Sequence, residues 1–138
     1  MKVFIDTNVI LDRVLLRDEP DFPSAKIFAA CAEGKIDGYI AVLSFSHIAY
    51  ILRKRFALDE IQELNLNLCE IFNVVSLNRE NIIAASSNHD FTDFEDFLQF
   101  ECAKNIEADY IITNNIKDFS NSNIPVIIPH KFINILKK

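Results

Sequence analysis

Apolar residues fall along this chain in two alternating rhythms. Short continuous runs at 3–5, 38–43, 73–77, 110–113 and 124–128 are rich in Val, Ile, Phe and Tyr, and read as strands buried on both faces. Between them, apolar positions recur every three or four residues, as on one side of a helix. Such stretches cover 9–16, then Ile27, Phe28 and Cys31, then Ile48, Ile51, Leu52 and Phe56, then Ile61, Leu64, Leu68, Ile71 and Phe72, and later 93–107. Gly34 is a natural helix stop, and Asn78 is a cap for a small helix carrying Ile82 and Ile83. Asp59 is expected to open a helix with Gln62 as its capping-box partner. Loops are expected at 18–23, at 88–92 and at 114–123, the last with room for a turn of helix, and a final helix runs toward Lys138. Strands alternating with helices predict right-handed crossovers and a mostly parallel sheet of four to five strands, in a three-layer α/β/α sandwich. Residues 1–138 form one domain on this reading.

The polar residues that interrupt the runs are concentrated at strand ends. Asp6 closes the first run, with Asn8 just after it; Ser44 closes the second; Thr113, Asn115 and Asp118 follow the fourth. Open α/β sheets bind ligands beyond the carboxyl ends of their strands, so these groups are expected along one rim. Asp93 and Asp96 stand a helical turn apart at the start of the long helix and share a face. Helix capping by Asp6 and Asn8, and a helix-dipole preference for acids at Asp93 and Asp96, would account for the same residues without chemistry. Clustering acids is unfavourable, however: two unit charges about 4 Å apart repel by about 4 kcal/mol at an effective dielectric of 20. A cation would offset that repulsion. Oxygen ligands alone select a hard ion, Mg²⁺ or Mn²⁺, held by a few carboxylates with several waters retained. None of the three histidines has a partner at ligand spacing; His47 is the nearest to the second strand end.

Composition narrows the classes. Half the residues are hydrophobic and a quarter charged, as in a globular domain. A net charge of −6 argues against a protein that coats nucleic acid by charge alone. The two glycines, Gly34 and Gly38, cannot build a phosphate-binding or dinucleotide loop. Cys31, Cys69 and Cys102 lack any C-x-x-C spacing and are expected as small buried hydrophobes. No apolar run is long enough to cross a bilayer and no signal peptide precedes the first strand, so a cytoplasmic location without membrane contact is expected.

Val-Phe-Ile-Asp-Thr-Asn-Val-Ile-Leu-Asp at 3–12 resembles the opening motif of PIN-domain ribonucleases, including toxins of the VapC type. Asp-Phe-Glu-Asp-Phe at 93–97, followed by Ala103, resembles their third acidic motif, and Ala-Asp-Tyr-Ile-Ile-Thr-Asn-Asn-Ile-Lys-Asp-Phe at 108–119 resembles the last; Pro-Val-Ile-Ile-Pro at 125–129 is similar to the closing strand. The resemblance runs nearly end to end. It implies Mg²⁺- or Mn²⁺-dependent hydrolysis of RNA, an antitoxin protein as partner, and a homodimer. In that pattern Asp6 takes the place of the first acid and Asp96 the third, with Asp93 auxiliary, and these three would coordinate the Mg²⁺ or Mn²⁺, directly or through water. Asn115 stands where many members carry the fourth acid, with Asp118 close by, and Thr113 and Ser44 resemble supporting hydroxyls. The family's glutamate on the helix after the second strand would fall near Tyr50; that stretch holds His47 and Tyr50 and no acid. With fewer carboxylates, a module that binds RNA or protein without cutting is the alternative. A phosphate-receiver reading would need a lysine after the fourth strand, where Thr113-Asn114-Asn115 offers none. Phe91, Phe94, Phe97 and Phe100 recur every three residues, and some of these rings are expected to face a partner.

Overall fold

Five parallel strands, β1 (Lys2–Ile5), β2 (Asp37–Ala41), β3 (Asn73–Val75), β4 (Tyr110–Ile112) and β5 (Val126–Ile127), form one sheet in the order β3-β2-β1-β4-β5 in a computed structural model. It describes residues 1–18, 21–91 and 93–138; Glu19, Pro20 and Thr92, all expected in loops, lie outside the described residues. Among the described residues, seven helices connect or flank the strands: α1 (Thr7–Val14), α2 (Pro23–Ala32), α3 (Val42–Leu52), α4 (Leu58–Ile71), α5 (Arg79–Ser87), α6 (Phe94–Asn105) and α7 (Pro129–Leu136), with a 3₁₀ turn at Ile116–Phe119.

Alternation along β1 divides the core. Val3 and Ile5 pack on one face with residues of α1, α2, α3, α4 and α7, including Ile10, Ile27, Ile48, Leu68 and Phe132. Phe4 packs on the other with Phe97, Phe100 and Ala103 of α6, Ala85 of α5 and Phe119 of the 3₁₀ turn. This is the expected three-layer sandwich, and its strand interiors are apolar on both sides, as parallel sheets require. Gly38 in β2 permits the closest approach on the first face: a β-carbon there would stand 2.5 Å from Cys31 Sγ and 2.8 Å from a Phe72 ring carbon. Gly34 ends the turn after α2 with φ of 73°, as its role as a helix stop requires.

The strand order turns at β1. From there the chain fills β2 and β3 on one side, then returns to fill β4 and β5 on the other. The carboxyl ends of β1 and β4 are therefore neighbours at a switch point, with Ile5 in register with Ile112.

Several boundaries differ from the sequence reading. The second strand stops at Ala41; Val42 and Leu43 belong to α3, and so does Ser44, which sits in the helix's first turn and not at a strand end. An apolar run of this length carries no periodicity that separates a buried strand from a buried helix start. α4 begins at Leu58, and Glu60, not Gln62, returns to the cap: its Oε1 accepts the Ala57 N–H at 2.9 Å. Cys31 and Cys102 are buried, with thiols pushed up to about 12 chiefly by burial. Cys69 is exposed, contrary to expectation, because α4 turns Leu68 inward and its neighbour outward. Three of the four phenylalanines at 91–100 turn inward. Phe91 stacks on Phe100 at 5.3 Å between centroids and meets Phe97 edge-on at 4.6 Å, while Phe94 is half exposed.

Candidate active site

Asp6 is placed by the strand that precedes it. Its backbone N–H still bonds Ile112 O across the sheet at 3.0 Å, and α1 begins at the next residue. The side chain is 7 % exposed, and both of its oxygens accept hydrogen bonds from the protein. Oδ1 accepts the Thr7 N–H at 2.8 Å, so Asp6 does cap α1. Oδ2 accepts the Thr113 hydroxyl at 2.8 Å and Asn8 Nδ2 at 3.1 Å. A carboxylate offers about four acceptor positions, and these three donors leave one. Burial pushes the Asp6 carboxyl above its ordinary range; the Thr113 hydroxyl and Thr7 amide pull it back, and the charges of Glu95 and Asp118 push it further up.

The loop after β4 is tied to the same carboxylate. Thr113 Oγ1 also accepts the Asn115 N–H at 3.1 Å, and Asn8 Oδ1 accepts the Asn114 N–H at 3.3 Å. Asn114 Nδ2 donates to Asp12 Oδ2 at 2.6 Å, and Asp12 pairs in turn with Arg17 at 3.2 Å. The chain segments after β1 and β4 are thus stitched together at the switch point. Beside them, Asn114 to Asp118 and Ile128 line a depression.

A second polar knot lies beneath the rim. Thr7 Oγ1 and Ser44 Oγ are 2.7 Å apart, and Gln99 Nε2 donates to them at 3.2 and 3.3 Å. Ser44 and Gln99 are essentially inaccessible to solvent, so α1, α3 and α6 are pinned at one buried point.

α6 brings the remaining acids. Asp93 is its N-cap, accepting the Asp96 N–H at 3.0 Å, which is the capping role. Asp96 is partly buried, and its carboxyl is pushed up to about 7, first by burial and then by Asp93, Asp118, Asp6 and Glu95. The same carboxylates that the sequence placed on one rim therefore act on one another. His47 on α3 does not reach Asp6 or Asp96 by a hydrogen bond; its Nδ1 meets Glu95 Oε1 at 2.9 Å. α3 carries no Asp or Glu along its length.

A PIN-domain family model matches residues 2–117. The chain belongs to the PIN-domain family. No curated protein matches its sequence. Among solved structures, this PIN domain is similar to a chain of VapBC2 from Rickettsia felis bound to a promoter DNA fragment, with TM-score 0.68, 17% identity, and coverage of 93% of this chain and 98% of that one. A toxin–antitoxin complex from Klebsiella pneumoniae gives TM-score 0.66 at 19% identity over 92% and 97% of the two chains. FitAcB from Neisseria gonorrhoeae gives 0.65 at 17% identity over 93% and 98%.

Asp6, Asn8, Thr113 and the backbone of Asn115 thus form one network in this PIN domain. Asp96 and Asp118 face the network electrostatically, whereas Ser44 serves the buried knot below. The sequence reading missed three participants. Thr7 was passed over beside Asp6, although a hydroxyl one residue after a strand-end acid is a signal for such a tie. Gln99 lies one turn beyond Asp96, and a polar residue among apolar helix positions was its only mark. Glu95 has no distinguishing local signal.

The donor set fits a hard divalent ion. All of it is oxygen, and its mutual repulsion is uncompensated by any nearby Lys or Arg contact to Asp6 or Asp96 among the described residues. Among those residues no three His, Cys, Asp or Glu side chains are close enough to chelate one ion together. The arrangement therefore suits an ion held by one or two carboxylates that keeps several waters, the habit of Mg²⁺. No helix among the described residues is long and apolar enough to cross a membrane.

Proposed function

We propose that this PIN domain is a Mg²⁺- or Mn²⁺-dependent endoribonuclease and the toxin of a toxin–antitoxin pair. The observation that carries the reading is the tie at the switch point, where Asp6 Oδ2 accepts the Thr113 hydroxyl at 2.8 Å and so joins the chain segments after β1 and β4; the partly buried Asp96 carboxyl, pushed up first by burial and then by Asp93, Asp118 and Asp6, is in keeping with it. The toxin–antitoxin complexes among its structural neighbours support an antitoxin protein as partner. RNA is the substrate that the family resemblance implies.

Asp6 and Asp96 hold the ion on this reading, with Asp93 and Asp118 reaching it through water. When bound, a divalent cation polarises a phosphoryl oxygen and makes a water nucleophilic near neutral pH. Thr113 and Asn8 hold Asp6 Oδ2 from the inside and fix the orientation of the carboxylate. Asn115 forms the wall of the depression beside it. Exposed Arg53, Lys54, Arg55 and Lys117 steer the RNA backbone toward the acidic rim, which its own net charge would otherwise repel. A homodimer follows from the family resemblance, with half-exposed Phe94 as a candidate contact.

A non-cutting RNA- or protein-binding module is the second reading. It is favoured by the absence of a ready three-ligand cluster among the described residues. Calorimetric titration with Mn²⁺ and an RNA cleavage assay on wild type and Asp6→Asn separate the two. Mn²⁺ binding and cleavage that both vanish in the variant support the nuclease. No Mn²⁺ binding at millimolar concentration in the wild type supports the module.

A further inference from the structure

The depression beside the rim, about 490 Å³ in volume, is lined by Asn114 to Asp118 and by Ile128. Its two asparagines are held in different ways. Asn114 Nδ2 donates to Asp12 Oδ2 at 2.6 Å, and the other oxygen of Asp12 accepts Arg17 Nε at 3.2 Å. The Asn114 side chain is therefore fixed from α1. Asn115 is fixed by its backbone instead: its N–H bonds Thr113 Oγ1 at 3.1 Å, and its carbonyl accepts the Asp118 N–H at 3.0 Å. Asparagine at the start of a helical turn commonly caps it with its side chain. The carboxamide of Asn115 does not cap the 3₁₀ turn that follows it. An exposed donor and acceptor thus stand side by side on a fixed backbone, without a capping task. We propose that this depression is a nucleobase subsite that receives one unpaired adenine of the RNA, with Asn115 reading its edge. The inference rests on the nuclease reading for the nature of the substrate.

The lining suits a base better than a bare phosphate. Lys117 brings one positive charge and Asp118 one negative charge, so the walls carry no net attraction for an anion. Ile116 is 40 % exposed and Ile128 half-buried, while Phe119 of the same turn is sunk in the core and anchors it. Apolar surface with a few fixed polar groups is the usual make-up of a small-molecule site, and 490 Å³ lies within the usual size range. Proteins that read RNA sequence mostly bind unpaired bases by their hydrogen-bonding edges. A carboxamide matches adenine, whose N6 donates and whose N7 accepts. Hydrogen bonds join this subsite to the rim: the Asn115 N–H bonds Thr113 Oγ1, and that hydroxyl donates to Asp6 Oδ2 at 2.8 Å. A base seated here sets its own phosphate beside the acids, with Lys117 at the flanking one.

Binding and cleavage are measured separately on the full chain. Fluorescence anisotropy in EDTA follows two labelled uridine hexamers, one carrying a single adenosine and the other a single inosine. Inosine keeps the purine rings and replaces the amino group by a carbonyl oxygen, so stacking stays constant while the edge changes. Wild type is expected to bind the adenosine hexamer about fivefold or more tightly, since a bidentate carboxamide–adenine pair discriminates at least that well. N115A, and N115L with its bulk retained, should both bring the two affinities together. K117A should weaken both hexamers alike and keep the preference, as loss of a phosphate contact does. Thermal melts verify that each variant is folded. Wild-type affinities within about twofold of each other overturn the proposal, as does a preference that survives in either folded Asn115 variant or the binding of neither hexamer. Mn²⁺-dependent cleavage of the same hexamers tests the reading beneath it. Cleavage without adenosine-selective binding overturns this inference alone; adenosine-selective binding without cleavage upholds the subsite and overturns the nuclease.

Discussion

Asp96→Asn should make the metal-free protein more stable at neutral pH while removing metal-dependent activity. The carboxyl of Asp96 is raised from 3.8 to about 7 in the folded chain, first by burial and then by four neighbouring acids. Between those two values the folded state holds a proton that the unfolded chain has released. Stability contributed by the protonated group is then present below the unfolded value, declines as pH rises, and is fully lost above about 7. A shift of that span would correspond to roughly 4 kcal/mol at 1.36 kcal/mol per unit. Asp96 is only partly buried, and solvent screening reduces that to about 1–2 kcal/mol. The neutral amide keeps the shape and removes the repulsion. For a chain of this size the gain corresponds to a rise in Tm of about 3–6 °C at pH 8. Differential scanning fluorimetry in EDTA from pH 4 to pH 8 measures it. The wild type should lose stability relative to the variant as pH rises, and the two should converge near pH 4. Added Mn²⁺ should narrow the gap at pH 8, because only the wild type gains binding energy. A variant that is less stable than wild type at pH 8 in EDTA would refute the claim that Asp96 sits in an uncompensated acidic field.

Apparent Mn²⁺ affinity should fall steeply below about pH 7, because the raised carboxyl of Asp96 must lose its proton to bind; calorimetry at pH 6 and pH 8 checks this. Thr113→Val removes the hydroxyl that holds Asp6 Oδ2 and lowers its carboxyl, so Mn²⁺ binding should weaken by about tenfold or more at little change in fold. Gln99→Leu leaves the Thr7 and Ser44 hydroxyls without their shared donor and should cost about 1–3 kcal/mol in urea unfolding. Gly38→Ala drives a methyl group against Cys31 and Phe72 and should destabilise by a similar 1–3 kcal/mol.

The strand–helix alternation and the rim position of Asp6 were legible because local residues determine them. A continuous apolar run broken by an acid marks the end of a buried strand wherever it occurs. The doubly wound pattern put the polar strand ends on one rim, but the β1–β4 pairing and register that bring Thr113 onto Asp6 are set across the sheet and have no local mark. Ser44 was misplaced because Val42 and Leu43 are apolar in either conformation. Asp93 and Asp96 were recognised as a pair, but the pair is unequal: one caps the helix backbone and the other faces the acids. No local pattern distinguishes those two roles. Gln99 and the His47–Glu95 bond were invisible because each depends on where α3 and α6 meet in space.

Val3 pairs with Tyr110, and Ile5 with Ile112, across more than a hundred residues of chain. During synthesis the first strand therefore waits for a neighbour that is made more than a hundred residues later. No shorter product ending before that neighbour can gather the rim acids, however well its earlier segments have collapsed. Contacts of such long sequence separation also slow folding. The centre of this sheet thus acts as a clock: the rim closes only once the fourth strand has been made.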